Sequence, residues 1–291
     1  MRIFMTGVSG YIGRAVAAAL RRRGHEVVGI ARDPKKVKNL EGVRVLRGDL
    51  SNLLDHRDEI ERCEAYVHTA FSPSDTVDLD EKAIYAFTRY HDDRYFLYTS
   101  GVWVLGNTGP GVADETTPPS PIDLVAWRAR HEQYVLGEGR DNFPTAVLRP
   151  GCVYGREQSL LRGWFEAAEK GEPLDLVGDG SNRWAMVHVD DLADCYRLAI
   201  ESRTHGVLHA VDDTRASIHE CADAVIERSG KKSVLRRIPL NEARQKMGGF
   251  ADALAIDQRV GSGSTRHRLG WQPKHTFVPS VPEQWKEWGR S

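Results

Sequence analysis

The sequence predicts an α/β fold: a doubly wound parallel sheet with a smaller C-terminal α/β lobe. Three observations carry this expectation. Short buried-type runs, RIFMTG, EVVGIA, VRVLRGDL, EAYVHTAF, RYFLYTSG and FPTAVLRPG, recur up to Gly151 with helical segments between several of them. Strands that alternate with helices favour parallel pairing. A glycine-rich turn, TGVSGYIG, joins the first strand to the first helix. Beyond Gly151 the texture shifts to Gly-rich turns, short helices and more Trp.

Taken in order, RIFMTG reads as a buried strand, YIGRAVAAALRRRG as a helix closed by Gly24, and EVVGIA as the next strand, which completes a βαβ unit. Four further strands follow, ending with FPTAVLRPG. TPPSP at 117–121 reads as a loop leading into a helix over 122–137. Residues 1–150 form the expected nucleotide-binding domain, to which 187–210 returns; 151–186 and 211–291 form the expected substrate lobe.

Bulk properties narrow the function classes. The chain has 291 residues, 41% apolar and 28% charged, with a formal net charge of −1. Near-neutrality argues against an electrostatic nucleic-acid binder, and RRR at 21–23 reads as a solvated helix end. The four cysteines, Cys63, Cys152, Cys195 and Cys221, show neither metal-ligand nor disulfide spacing, so no metal site is expected and a reducing cytoplasm is. The chain starts directly on a strand, and no apolar run approaches membrane-spanning length. A cytoplasmic protein without membrane or nucleic-acid partners is the expectation.

The turn places Gly7, Gly10 and Gly13 between a strand and a helix. Glycines there let the backbone approach a pyrophosphate, while the free amides and dipole of the helix start stabilise its charge. Ser9, Tyr11 and Ile12 complete the expected contact segment. At the end of the second strand, where an acid selects NAD, stand Ala31 and then Arg32. With Lys35, Lys36 and Arg14 nearby, NADP(H) is expected over NAD(H), although Asp33 adds a negative charge.

The motifs TGVSGYIG, RGDL at 47–50, VHTA at 67–70, YTSG at 98–101, LRPGCVYG at 148–155, GDGSNRW at 178–184, VHVDDLAD at 187–194 and LGWQP at 269–273 occur in a family order. By them the chain resembles the extended short-chain dehydrogenase/reductases of the NAD(P)-dependent epimerase/dehydratase superfamily, which have a Rossmann fold. The resemblance implies that Asp49 and Leu50 flank the adenine, and that Thr69, Ala70 and Phe71 line the pyrophosphate and ribose side. It places Thr99 and Ser100 beside the nicotinamide and Pro150, Gly151 and Val153 at its edge. Arg183 is expected to project toward the substrate, and Trp103, Leu124 and Trp127 to line its space.

Active members of that family carry a Tyr four residues before a Lys, because the phenol must be brought toward neutral pKa to move a proton. In LVAWRARHE at 124–132, aligning Glu132 with the family's helix acid puts Leu124 and Arg128 at those positions. No Tyr anywhere in the chain has a Lys four residues on. The resemblance is therefore to the atypical subgroup, with Arg128 on the cofactor ribose but unable to donate a proton. Ser100 and Tyr154 are the candidate replacements.

Three functions follow: an NADPH-dependent oxidoreductase reducing a small carbonyl compound through a non-standard proton relay, a non-catalytic NADP(H) redox sensor, and a sugar-nucleotide epimerase or dehydratase. A homodimer is expected from the resemblance, through the helix before the fifth strand and the 122–137 helix.

Overall fold

The computed structural model describes residues 1–37, 40–89, 93–156 and 159–288. The chain begins with β1 (Arg2–Thr6), α1 (Tyr11–Arg22), β2 (Glu26–Ala31), β3 (Val43–Arg47), α2 (Arg57–Glu61), β4 (Ala65–His68), α3 (Thr76–Thr88), β5 (Tyr95–Thr99), α4 (Ala126–Gly137) and β6 (Thr145–Pro150). The chain then forms β7 (Cys152–Tyr154), α5 (Arg162–Lys170), β8 (Leu174–Val177), β9 (Met186–His188), α6 (Val189–Ser202) and β10 (Gly206–Ala210). It ends with α7 (Ile218–Ser229), β11 (Leu235–Ile238), α8 (Leu240–Met247), α9 (Phe250–Ala255), α10 (Gly263–Leu269) and α11 (Phe277–Trp288).

Seven strands form one sheet in the order β10-β6-β5-β4-β1-β2-β3, every neighbouring pair parallel. Residues Ile3 to Thr6 and Tyr95 to Tyr98 are almost wholly buried, as continuous apolar strands must be when helices cover both faces. On one face α1 and α6 pack over β1, with Val16 and Leu20 meeting Leu192 and Tyr196 in one core. On the other, Phe87 of α3 stacks on Tyr66 and approaches Phe4 edge-on. Strand order reverses between β1 and β4, which opens a crevice beyond their carboxyl ends.

Two small parallel sheets, β7-β9 and β8-β11, gather around a separate core of Trp184, Phe165, Val225 and Phe277. The α6 helix packs against α1 on the large sheet, and β10 forms its edge beside β6. No helix among the described residues is long and apolar enough to cross a membrane.

The sequence expectation of one helix over 122–137 needs correction. A 3-10 turn, Asp123–Val125, precedes α4, and Val125 breaks the path with non-helical angles (φ −122°, ψ 13°). Leu124 therefore stands on the turn and Arg128 on the helix.

Candidate functional site

Gly7 occupies the left-handed region (φ +70°), where a side chain is strained, and a Cβ there would lie 2.6 Å from the Ala70 nitrogen. A Cβ on Gly13 would lie 2.0 Å from the Gly7 oxygen. The turn is thus pressed between β1, β4 and α1. The first amides of α1 have no intrahelical acceptor, its first turn holds no acid, and Gly10 caps it without a side chain. These amides face a cleft of about 760 Å³. Gly7, Ser9, Gly10, Tyr11, Ile12 and Gly13 form one wall, and Thr69, Ala70 and Phe71 face them. A dinucleotide pyrophosphate fits this wall on both shape and charge.

The far end of the cleft is bounded by Ala31, Arg32, Asp49, Leu50 and Ser51. Asp49 accepts hydrogen bonds from the amide and hydroxyl of Ser51, which hold its carboxyl below the usual range, with the Arg32 charge assisting. Asp33 is turned to its own 3-10 turn, accepting the Lys35 amide at 3.2 Å. The Lys36 side chain lies outside the described set.

Past Tyr11, Ile12, Phe71 and Pro73, which border both spaces, the cleft continues into a second cavity of about 640 Å³. Its walls are mainly apolar: Val102, Trp103, Val104, Leu124, Val125, Trp127, Leu160 and Phe250, with Pro150, Gly151, Cys152 and Val153 beneath. Of its polar side chains, Thr76 donates to the Ser72 carbonyl and Tyr11 to the Gly155 carbonyl, which leaves Ser100 and Arg128. Ser100 is 8% exposed, and its hydroxyl has no hydrogen-bond partner among the described residues. Arg128 stacks on Trp127, 4.4 Å from the ring centre, and its Nη1 donates to the Thr99 carbonyl (3.0 Å) and the Tyr98 hydroxyl (3.3 Å).

Behind Arg128 lies a buried polar hub that sequence reading did not find. Tyr98 donates to Asp80, whose carboxylate also meets His131 Nδ1 (2.7 Å) and His68 Nε2 (3.1 Å), while His68 Nδ1 pairs with Thr6. Burial alone would raise the Asp80 pKa, but the hydrogen bonds from His131 and His68, with the Arg128 charge, hold it well below the usual range. The hub joins β1, β4, β5, α3 and α4, so it fixes Arg128 relative to the glycine turn.

Some expected residues lie elsewhere. Tyr154 is fully buried and donates to Asp212 at 2.7 Å; burial and the Asp212 charge push its phenol far above the normal value. It does not line the cavity, and a phenol held that way cannot serve as a proton source there. Arg183 donates from Nε to the Arg215 carbonyl (2.9 Å) and lines a separate cleft with Gln258 and Arg259. It is not brought to the apolar cavity. The Thr99 hydroxyl pairs with Tyr196 rather than lining either space, although its carbonyl anchors Arg128. Phe250, from α9, and the 72–75 loop were missed; Pro73 in FSPSD was the available signal for the loop, and Phe250 had none.

Burial raises Asp212 to about 6 despite hydrogen bonds from Thr214 and Tyr154. Its folded value exceeds the unfolded one, so this carboxyl favours the fold at low pH and opposes it increasingly as pH rises from about 4 to about 6, by about 3 kcal/mol at most. An Asp212→Asn chain is therefore expected to gain in melting temperature relative to the parent across that window. A difference independent of pH would contradict the assignment.

Residues 3–210 match the model of the NAD-dependent epimerase/dehydratase family. The chain belongs to this family. Among relatives of this epimerase/dehydratase chain, a 3-diazoavenalumate denitrifying reductase of Streptomyces is 28% identical, with 94% of this chain and 97% of the relative covered. Thermus thermophilus UDP-glucose 4-epimerase, solved with NAD, shares the fold at TM-score 0.83 and 22% identity, covering 99% of both chains. Human epimerase family protein SDR39U1, solved with NADPH, superposes at TM-score 0.80 and 20% identity, covering 98% of this chain and 99% of that one. Nicotinamide-dinucleotide binding in an oxidoreductase-type Rossmann fold is the common ground of the family and this cleft.

Proposed function

We propose that this protein is an NADPH-dependent oxidoreductase that reduces a small, apolar carbonyl compound without the usual tyrosine. The observation that carries the reading is the continuity of the glycine-turn cleft with an apolar cavity in which the Ser100 hydroxyl is unpaired. When bound, a reduced nicotinamide supplies hydride. The chain contributes enclosure by Trp103, Trp127 and Phe250, a hydrogen bond from Ser100 to the substrate carbonyl, and a fixed positive charge at Arg128. The reductase activity named for the Streptomyces relative is consistent with this reading.

Preference for the 2′-phosphate is supported by Ala31 at the end of β2 and by Arg32 on the cleft wall. Arg32→Ala should weaken NADPH roughly tenfold or more while changing NADH little, since a charge-assisted phosphate contact contributes about 1.5–3 kcal/mol. Calorimetric titration of both nucleotides checks this; equal losses would contradict it. Exposure of Tyr85 on α3 and Tyr134 on α4 supports a homodimer through these helices. Light scattering at micromolar concentration should give twice the chain mass. The proposed setting is the cytoplasm, consistent with four free, buried cysteines.

Turnover is tested by following loss of reduced-nicotinamide absorbance across a panel of apolar ketones, enones and quinones. Demonstrated NADPH binding with no turnover on any of them would overturn the reading.

A further inference from the structure

The apolar cavity carries one charge on its wall. Arg128 is the only charged side chain among the described residues lining it, and no carboxylate stands on its wall. Asp80, which feels the Arg128 charge, is reached through the Tyr98 hydroxyl and is shared with two histidines. Arg128 spends Nη1 on Tyr98 and Thr99; its Nε and Nη2 make no hydrogen bond to a described residue. The Thr99 carbonyl that anchors it immediately precedes Ser100, whose buried hydroxyl is also unpaired. A cation and an unpaired hydroxyl on the wall of one apolar cavity can serve as a receptor for an oxyanion on a flat apolar molecule.

The same walls are poor in proton donors. Tyr11 donates its hydroxyl to the Gly155 carbonyl, and burial suppresses its acidity; the Cys152 thiol is pushed by burial up to about 12. Reduction of an isolated ketone leaves a strongly basic alkoxide that needs a proton at once. Reduction of a conjugated carbonyl leaves an enolate or phenolate, which a cation can hold until water protonates it.

We propose that this pocket selects flat, apolar conjugated carbonyl compounds, enones and quinones, and holds the oxygen that becomes anionic against Arg128 and Ser100. The inference rests on the oxidoreductase reading and specifies its substrate class. In the balanced step for an enone, a carbon–hydrogen bond forms at the β-carbon with hydride from NADPH. The carbon–carbon π pair shifts to join the α-carbon to the carbonyl carbon, the carbonyl π pair passes to the oxygen, and NADP+ and the enolate result. A proton from water then completes the saturated ketone.

The test has a binding arm and a turnover arm. Calorimetry at mildly alkaline pH compares 4-nitrophenol, ionised there, with its uncharged ether 4-nitroanisole. The phenolate should bind roughly tenfold tighter, Arg128→Gln should remove that preference, and Arg128→Lys should restore part of it. Equal affinities in the unaltered protein, a comparison that needs no variant, would overturn the proposal. So would an Arg128→Gln chain that loses NADPH affinity but keeps the phenolate preference, since Arg128 would then serve the ribose. In turnover with NADPH, 2-cyclohexenone and 1,4-naphthoquinone should exceed cyclohexanone by at least roughly tenfold; equal or faster reduction of cyclohexanone would overturn the substrate class. Phenolate preference without turnover of any acceptor would count against the oxidoreductase reading while supporting the oxyanion receptor.

Discussion

A Glu132→Gln chain is expected to lose about 3–5 kcal/mol of stability, the cost of breaking a buried ion pair from one side. Glu132 and Arg149 are 2% and 3% exposed, and Arg149 reaches both carboxylate oxygens, with Nη2 2.6 Å and Nε 3.0 Å away. The pair ties α4 to β6. Removing the carboxylate strands a guanidinium among buried groups, whose other contact is His209 at 3.4 Å. Burial and the Arg149 charge already depress the His209 imidazole, so it cannot take the place of an anion. Urea denaturation should show a lower midpoint at an unchanged slope. Replacing both residues by Leu and Met should recover much of the loss, because the desolvation of two charges is then avoided. A single variant as stable as the parent would show that the pair is solvated in solution.

Gly13→Ala is the second large effect, and it falls on nucleotide binding. The new methyl would occupy the space of the Gly7 carbonyl, 2.0 Å away, and approach the Thr69 hydroxyl at 3.0 Å. Backbone cannot yield as a flexible side chain can, so α1 must withdraw from β1 and carry its amides away from the pyrophosphate position. Overpacking of this kind costs on the order of 1–3 kcal/mol in stability. Affinity for NADPH and NADH should fall together, by roughly tenfold or more, because the pyrophosphate is common to both. Circular dichroism melting separates the two consequences: a folded chain with normal nucleotide affinity would contradict the role given to the turn.

The nucleotide half was legible because its chemistry is local. Gly7, Gly10 and Gly13 lie within one turn, and Arg32 follows its strand directly, so spacing alone brought them to one cleft. The substrate half depends on long-range placement. Phe250 faces Trp103 from a separate helix, with ring centres 6.1 Å apart, and nothing in the sequence near either residue announces the other. Tyr154 stood at a plausible position just after β6, but its partner Asp212 lies 58 residues on and draws it into the second lobe. Arg183 was drawn to the Arg215 carbonyl for the same kind of reason. Asp80 reads in sequence as one more charge on a helix, whereas two strands and a second helix close over it. The 122–137 stretch reads as helical throughout, and the break at Val125 separates Leu124 from Arg128.

Hydride transfer at the junction of the two cavities, beside Ser100, is read out by isotope transfer. NADPH deuterated at the transferable nicotinamide position is incubated with the protein and an apolar conjugated ketone, and the product is analysed by mass spectrometry. One deuterium is expected on the product carbon that accepts hydride. A Ser100→Ala chain should transfer more slowly with unaltered NADPH affinity. Tight NADPH binding with no deuterium in any product, or transfer as fast without the Ser100 hydroxyl, would contradict it.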